Sequence, residues 1–287
     1  MLAIIKKEFL TYFKSMTGYI FMACLLFFVG LFFVLNNLLG MSPQYNGVLS
    51  NITFVFMLIV PILTMRLLAE EARQKTDQLL LTSPISLSRI VLGKFLGAVS
   101  VLFLTLVITL IYPAILSTMG SVNWPEVIGG YVGFFLFGCS LIAVGLFISS
   151  TTDNQVIAAV VTFTALLLIW FIDTIAQGLP TDRTSGIIFA CILIAAVAVI
   201  FYMAAKNWIV SGGIMAAGLI GVFAGYRMKP AAFDGLIAKV LNWFSLLSRY
   251  DDFSMGVLNL SPIIYYISFS GIFLFLTVRM LEKKRWS

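Results

Sequence analysis

The sequence contains no histidine and few charged residues, with 18 Lys and Arg and 12 Asp and Glu in 287 residues. Without His, the chain has no imidazole for proton transfer, no His-Glu-x-x-His zinc site and no Ser-His-Asp triad. Its three cysteines, Cys24, Cys139 and Cys191, lie far apart in apolar runs, so we interpret them as small buried hydrophobic residues. The only Gly-Lys pair, Gly93-Lys94, lacks the rest of a nucleotide-binding loop. We therefore expect no catalysis, cofactor or metal in this chain.

Hydrophobic residues make up 61% of the sequence and the mean hydropathy is +1.07, which is the composition of an integral membrane protein. A spanning helix needs roughly 20 mostly apolar residues. The sequence predicts an all-α, polytopic fold with about eight such helices, near residues 18–38, 51–68, 95–118, 127–148, 156–176, 186–204, 208–226 and 262–280. The first run is too long for a signal peptide and lacks its cleavage pattern, so we expect it to remain as a membrane anchor.

The distribution of positive charge predicts the topology. An even number of spans places both termini on one side, and Lys and Arg clusters at both ends predict that this side is cytoplasmic. Thirteen of the 18 basic residues then lie inside, and we interpret the chain's net charge of +6 as an inside bias that faces anionic lipid headgroups. No basic stripe with interleaved aromatic residues indicates nucleic-acid binding. We expect a multi-pass protein of the plasma membrane, of the bacterial inner-membrane type.

The predicted spans contain almost no ionisable residues in their middles, which argues against a proton- or ion-coupled carrier. Arg66 and Asp173 lie deepest, and we expect each to reach an interface or to pair there. A ridge of small residues recurs every four positions at Gly213, Ala217, Gly221 and Gly225, which predicts close helix packing. Energy for any transport is expected to enter from outside this chain.

Polar residues concentrate in three segments outside the spans. The pattern of residues 1–17 predicts an interfacial helix. Its apolar face includes Phe9, Tyr12 and Phe13, and its opposite face includes Lys6 and Lys7. Residues 69–90 predict a charged cytoplasmic hairpin that faces another polar surface, although a helix that is merely solvated has the same pattern. Residues 227–261 predict extracytoplasmic interfacial or partly re-entrant helices.

Four stretches together resemble one transporter family. The hairpin reads Glu70-Glu71-x-Arg73-x-x-Thr76-x-x-Leu79-Leu80-Leu81-Thr82-Ser83-Pro84, followed by Ile90-Val91-Leu92-Gly93-Lys94. The other stretches are Ile5-Lys6-Lys7-Glu8-Phe9, the turn Ser149-Ser150-x-Thr152-x-Asn154-Gln155, and the aromatic and basic carboxy-terminal run from Tyr265 to Trp286. In these features the chain resembles type-2 ABC transporter permeases, most closely the gliding-motility-associated, GldF-like branch.

The resemblance implies a single permease domain over residues 1–287, without its own ATPase, that pairs with a second copy or a paralogue above two ABC ATPase subunits. ATP and Mg²⁺ would be bound by those partners. The hairpin would be the coupling helix, with ATPase contacts at Glu70, Glu71, Arg73, Gln74, Lys75, Thr76, Asp77, Gln78, Thr82, Ser83 and Pro84. A second, smaller contact would be formed by Asp153, Asn154 and Gln155.

The chain departs from the family pattern in two respects. The pattern often has Gly where this chain has Lys75, and Glu where it has Gln78. The family core has about six spans, so the pair at residues 186–226 is an addition, which a gliding-type auxiliary membrane subunit would bind. A stand-alone secondary carrier or channel, or a membrane scaffold without transport activity, remains the alternative to an ABC permease.

Overall fold

The computed structural model of the chain describes residues 2–76, 85–206, 208–228 and 233–286. Within these ranges every regular element is helical, as the composition predicted. The thirteen α-helices are α1 Leu2–Lys14, α2 Met16–Phe33, α3 Asn46–Thr64, α4 Ala69–Arg73, α5 Leu87–Thr109, α6 Ile111–Met119, α7 Trp124–Thr151, α8 Gln155–Gly178, α9 Arg183–Ala205, α10 Trp208–Met228, α11 Leu236–Phe244, α12 Leu247–Ser254 and α13 Leu260–Trp286.

Seven helical segments of the described residues are long and apolar enough to cross a membrane. They are Met16–Leu39, Asn46–Arg73, Leu87–Met119, Trp124–Thr151, Gln155–Gly178, Arg183–Met203 and Leu260–Arg285. The remaining predicted span, 208–226, coincides with α10, whose apolar stretch Val210–Ala224 is shorter than the other seven. A multi-pass membrane fold is therefore confirmed.

The chain divides into two compact units, residues 1–170 with 246–287, and residues 171–245. In the first unit, α3 and α7 are the central helices, because about 70% of the most apolar stretch of each is buried, at 67% and 72%. Phe56 of α3 packs its ring against Phe134 and Phe137 of α7, with centroids 4.9 and 6.4 Å apart. Helices α2, α5 and α13 surround this pair, and all three contact it.

Local sequence explains where the helices of the first unit bend or end. Helix α2 continues as a π-helical segment, Val34–Leu39, in which the Asn37 side chain donates to the carbonyl oxygens of Ser42 and Gln44 at 2.7 and 3.3 Å. These bonds fold the following loop back onto the helix end. Helix α7 begins after Asn123 with Pro125 in its first turn, where a missing N–H costs nothing.

The 227–261 segment forms two short helices, α11 and α12, in agreement with its predicted periodicity. Helix α12 packs on α3 and α7 and buries Tyr250 and Phe253. Its end turns at Gly256, which has a φ of 77° and packs against the side chain of Glu126. In the first unit, α12 therefore caps the end of the bundle where α7 begins.

In the second unit, α9 and α10 pack against each other, and Gly218 of α10 allows the approach of Ile194 of α9. The Arg183 side chain forms a two-pronged ion pair with Asp234, at 2.9 and 3.1 Å, and this hydrogen bonding holds the pKa of the Asp234 carboxyl below its ordinary value. Asp173, for which the sequence predicted either reach to an interface or pairing there, accepts a hydrogen bond from Ser245 Oγ at 2.6 Å.

Candidate functional site at the base of the helix bundle

Two of the three predicted polar segments, the amino-terminal helix and the hairpin, meet the predicted turn after α7 at one end of the first unit. We call this end the base; it comprises α1, residues 65–76, the start of α5, residues 149–155 and the end of α13. Helix α1 crosses α5 at two glycines, because Ile4 packs on Gly93 and Glu8 packs on Gly97. A Cβ added at either glycine would lie 2.7 or 2.6 Å from these side chains, so only glycine permits this crossing.

Lys94 lies at this crossing and is the centre of a buried ion cluster. Its side chain is 2% exposed, and Nζ contacts Glu8 of α1 at 3.0 Å and Glu71 of α4 at 2.8 Å. The two carboxylates are 11% and 16% exposed. Removing one partner from such a pair leaves a buried charge without compensation, at a cost of about 3–5 kcal/mol. The cluster therefore fastens α1, α4 and α5 together.

A second ion pair joins Arg66 to Glu70, the residue before Glu71 in α4. It is two-pronged, with nitrogen to oxygen distances of 2.6 and 2.7 Å, and the same guanidinium donates to Thr17 Oγ1 at 3.4 Å. This geometry aligns the planar guanidinium with the carboxylate and fixes its direction. Arg66 therefore has an ion-pair partner within the chain, which is one of the two alternatives predicted for it.

Hydroxyl groups fasten the junction between α3 and α4 to its neighbours. Tyr12 of α1 donates to the carbonyl oxygen of Leu63 at 2.8 Å, and burial raises the pKa of this phenol well above its ordinary value, so it remains a donor. Ser149 Oγ of α7 accepts from the backbone N–H groups of Leu68 and Ala69 at 3.1 and 3.0 Å. These groups have no helical partner at the start of α4, and Ser149 supplies one.

Helix α4 ends in a Schellman motif at the position where the family pattern often has glycine. The N–H of Lys75 donates to the carbonyl of Ala72, and that of Thr76 to the carbonyl of Glu71, at 3.1 and 3.0 Å. Lys75 consequently has a φ of 56°, in the left-handed region that glycine occupies without strain. The position where the family pattern often has glycine is therefore the end of a helix in this chain.

The predicted hairpin contacts divide into three groups. The carboxylates of Glu70 and Glu71 bind Arg66 and Lys94 within the chain, so they build the base instead of offering a free surface. The side chains from Arg73 to Thr76 are exposed. The remaining predicted contacts, Asp77, Gln78, Thr82, Ser83 and Pro84, lie outside the described residues.

The second predicted contact is a tight turn between α7 and α8. Asn154 Oδ1 accepts from the N–H of Val156 at 2.9 Å and so caps the start of α8. Asp153 is exposed and contacts Lys284 Nζ of α13 at 3.1 Å, which joins the turn to the end of the last helix. Gln155 is the first residue of α8.

The interfacial helix is only partly as predicted. Lys6 and Lys7 are exposed, and Phe9 and Phe13 are half-buried with rings 4.8 Å apart. Tyr12, however, is buried in protein instead of lying among the apolar residues of a lipid-facing side. Helix α1 is therefore held by the bundle.

Sequence analysis quoted Lys94 and Ser149 only as parts of the family resemblance, and it missed that these two residues and Gly97 join the segments. Lys94 lies 86 residues from Glu8 in sequence, so no local periodicity reveals their contact. The one available signal was the Gly-Lys-x-x-Gly spacing at the start of α5, in which two small residues on one face flank a cation.

A comparison with known protein families identifies the family to which the chain belongs. The family described as ABC-2 family transporter protein matches residues 3–216, about three quarters of the chain, including the whole base except the end of α13. The chain belongs to this family. It is accordingly a multi-pass transmembrane component of ABC-2 transporter type. No curated protein matches the chain.

Proposed function

We propose that this ABC-2 family member is a permease subunit that couples ATP hydrolysis by a separate ABC ATPase to export or mechanical work across the membrane. The observation that carries the proposal is the buried Lys94 cluster, which ties the predicted coupling hairpin to α1 and α5. Helix α4 directly follows α3 in the chain and is fixed to α5 by the ion cluster. A force applied at the hairpin would therefore reach the spans that contain α3 and α5 together. An independent channel or carrier has no need of such a connection.

The exposed run from Arg73 to Thr76 is the described part of the proposed ATPase contact. Arg73 and Lys75 give it two positive charges, since Glu70 and Glu71 are neutralised by partners within the chain. The turn at Asp153 contributes an exposed carboxylate to the same base. We expect the hairpin to continue the contact through Pro84, and the ATPase to present a complementary acidic surface.

The remaining architecture rests on the charge distribution and the apolar runs for topology, and on the family resemblance for the partners. The base faces the cytoplasm with both termini, α10 is an eighth span, and the functional unit contains two permeases, either two copies or a pair with a paralogue. ATP and Mg²⁺ bind to the ATPase subunits. The second unit carries the added helix pair, and an auxiliary membrane subunit of the gliding type would bind there.

Charge reversal at the exposed hairpin residues tests the proposal. The double variant Arg73→Glu/Lys75→Glu should release the ATPase subunit or abolish stimulated ATP hydrolysis in the purified complex. The matched control is Lys239→Glu, an equally exposed lysine on α11 outside the base. Complex formation and hydrolysis that resist the double variant would refute the proposed contact.

The alternatives predict different results for the same preparation. A stand-alone carrier or channel would move solute in liposomes without an ATPase and without ATP. A scaffold would retain partners but show no ATP-dependent transport and no hydrolysis that depends on Arg73 and Lys75. Either outcome would replace the permease assignment.

A further inference from the structure

The membrane-crossing segment that contains α3 and α4 is interrupted by a turn at residues 65–68. In a continuous α-helix the N–H of Ala69 would donate to the carbonyl oxygen of Met65, four residues earlier. The turn is tighter than that, because the N–H of Leu67 donates to the carbonyl oxygen of Thr64, only three residues earlier, at 3.2 Å. The ladder of helical hydrogen bonds is therefore broken where the predicted hairpin begins.

The hydroxyl of Ser149 on α7 occupies this break. Its Oγ donates to the carbonyl oxygen of Met65 at 3.2 Å and accepts from the N–H groups of Leu68 and Ala69 at 3.1 and 3.0 Å. These three bonds use the full capacity of a hydroxyl, which has one donor and two acceptor sites. A side chain inserted in this way between a helical donor and its acceptor is a known cause of helix kinks. Ser149 thus holds the break open from a neighbouring helix.

Close packing of α7 on α3 brings the hydroxyl to the break. Gly145 lies one turn before Ser149 in α7, and a Cβ at this glycine would clash with the side chain of Thr64. Glycine therefore lets the two helices approach closely enough for a short serine side chain to reach the backbone of the break. Ser149 itself is fully buried, so it offers no surface to a partner protein.

The Ser149 hydroxyl lies between the two predicted ATPase contacts. Arg73 follows Ala69 by four residues, and Asp153 follows Ser149 by four, so each contact lies about one helical turn, or roughly 6 Å along the chain axis, from the break. The buried ion cluster already ties α4 to α5. Ser149 supplies a separate connection, from α4 to α7, and the end of α7 leads into the second contact.

We propose that Ser149 is a positioning residue, which makes the hairpin contact and the contact at residues 153–155 act on the ATPase as one rigid unit. The inference rests on the proposed permease function, because both contacts are assigned through it. Two contacts held in a fixed arrangement bind a partner more tightly than two that move independently, since no further ordering cost is met on binding. Without the hydroxyl, three backbone groups lose their partner and the hydrogen-bonded connection from α4 to α7 is lost.

Hydrogen exchange of the full chain in detergent tests this connection without any partner. Ser149→Ala removes the acceptor of the Leu68 and Ala69 amides, while the ion cluster still holds α4 in place. We expect these two amides to exchange about tenfold faster, as for the loss of one net hydrogen bond. The matched control is Ser140→Ala, which removes an equally buried hydroxyl of α7 that bonds α13, and it should leave their exchange unchanged. Unchanged exchange in Ser149→Ala would overturn the proposal.

Affinity for the co-purifying ATPase subunit tests whether the two contacts act together. Ser149→Ala should weaken binding by about tenfold when Asp153 is present, although Ser149 cannot touch the ATPase. In an Asp153→Ala background, which weakens the second contact, the same change should have an effect of about twofold or less. Ser140→Ala should be neutral in both backgrounds.

The outcomes separate this inference from the proposed function. An equal loss of affinity with and without Asp153 would show that Ser149 acts only on stability, which would overturn the inference and leave the permease function standing. If neither Asp153→Ala nor Arg73→Glu/Lys75→Glu weakens ATPase binding, the proposed contacts themselves fail, and the inference fails with them.

Discussion

Replacing Lys94 with Met is the sharpest perturbation of the base. Methionine keeps the length and apolar stem of lysine but removes the cation, so Glu8 and Glu71 are left facing each other without compensation. Both carboxylates are less than one fifth exposed, at 11% and 16%, so water cannot replace the lost partner fully. Loss of one partner from a buried ion pair costs about 3–5 kcal/mol.

For a chain of this size, each kcal/mol lowers the midpoint of thermal unfolding by about 2 °C. Lys94→Met should therefore lower it by about 6–10 °C. The triple variant Glu8→Gln/Glu71→Gln/Lys94→Met removes all three charges and should recover most of the loss, since a neutral replacement of a buried ion cluster is often without cost. Glu8→Gln alone should cost less than Lys94→Met, because Lys94 keeps Glu71 as its partner.

The midpoint is measured in detergent with a thiol-reactive dye, which reports exposure of the half-buried cysteines Cys24, Cys139 and Cys191 on heating. The chain supplies its own probes, so no label has to be introduced. A midpoint for Lys94→Met within about 1 °C of the unaltered chain would refute the reasoning. So would a triple variant as unstable as the single one, because the charge imbalance would then not be the cause.

Three glycine and lysine positions give further predictions, each measured by the same thermal assay. Lys75→Gly should stabilise the chain by up to about 1 kcal/mol, because it relieves a left-handed residue, and an unchanged or lower midpoint would contradict this. Gly97→Leu should detach α1 and destabilise the chain, whereas Gly212→Leu, with nothing within 4 Å, should be neutral; equal effects would refute the crossing. Gly256→Ala should cost about 1 kcal/mol or more, through strain at its φ of 77° and contact with the Glu126 side chain.

The sequence was sufficient to predict the membrane fold and its main polar segments. Runs of roughly 20 apolar residues can only be helices in a bilayer, so the spans follow from composition alone. The helices of residues 227–261 were likewise visible, because helical periodicity is a local property. The same reasoning singled out Arg66 and Asp173 as the deepest ionisable residues and left open whether they pair or reach an interface.

The contacts that build the base were beyond such reasoning, because they join residues far apart in the chain. Small residues at a spacing of four show that helices can approach, but not which helix does so. Gly93 and Gly97 accept α1, whereas Gly213 and Gly221, on the ridge that the sequence highlighted, have nothing within 4 Å. Glu70 and Glu71 resembled a partner surface for the same reason, since their internal partners were not apparent.

Purification of the chain with the proteins encoded beside it, combined with an ATP hydrolysis assay, tests the central claim most directly. The permease assignment predicts a stoichiometric partner with a nucleotide-binding loop, whose retention and hydrolysis depend on Arg73 and Lys75. A chain that purifies without such a partner and moves solute in liposomes without ATP would contradict the assignment.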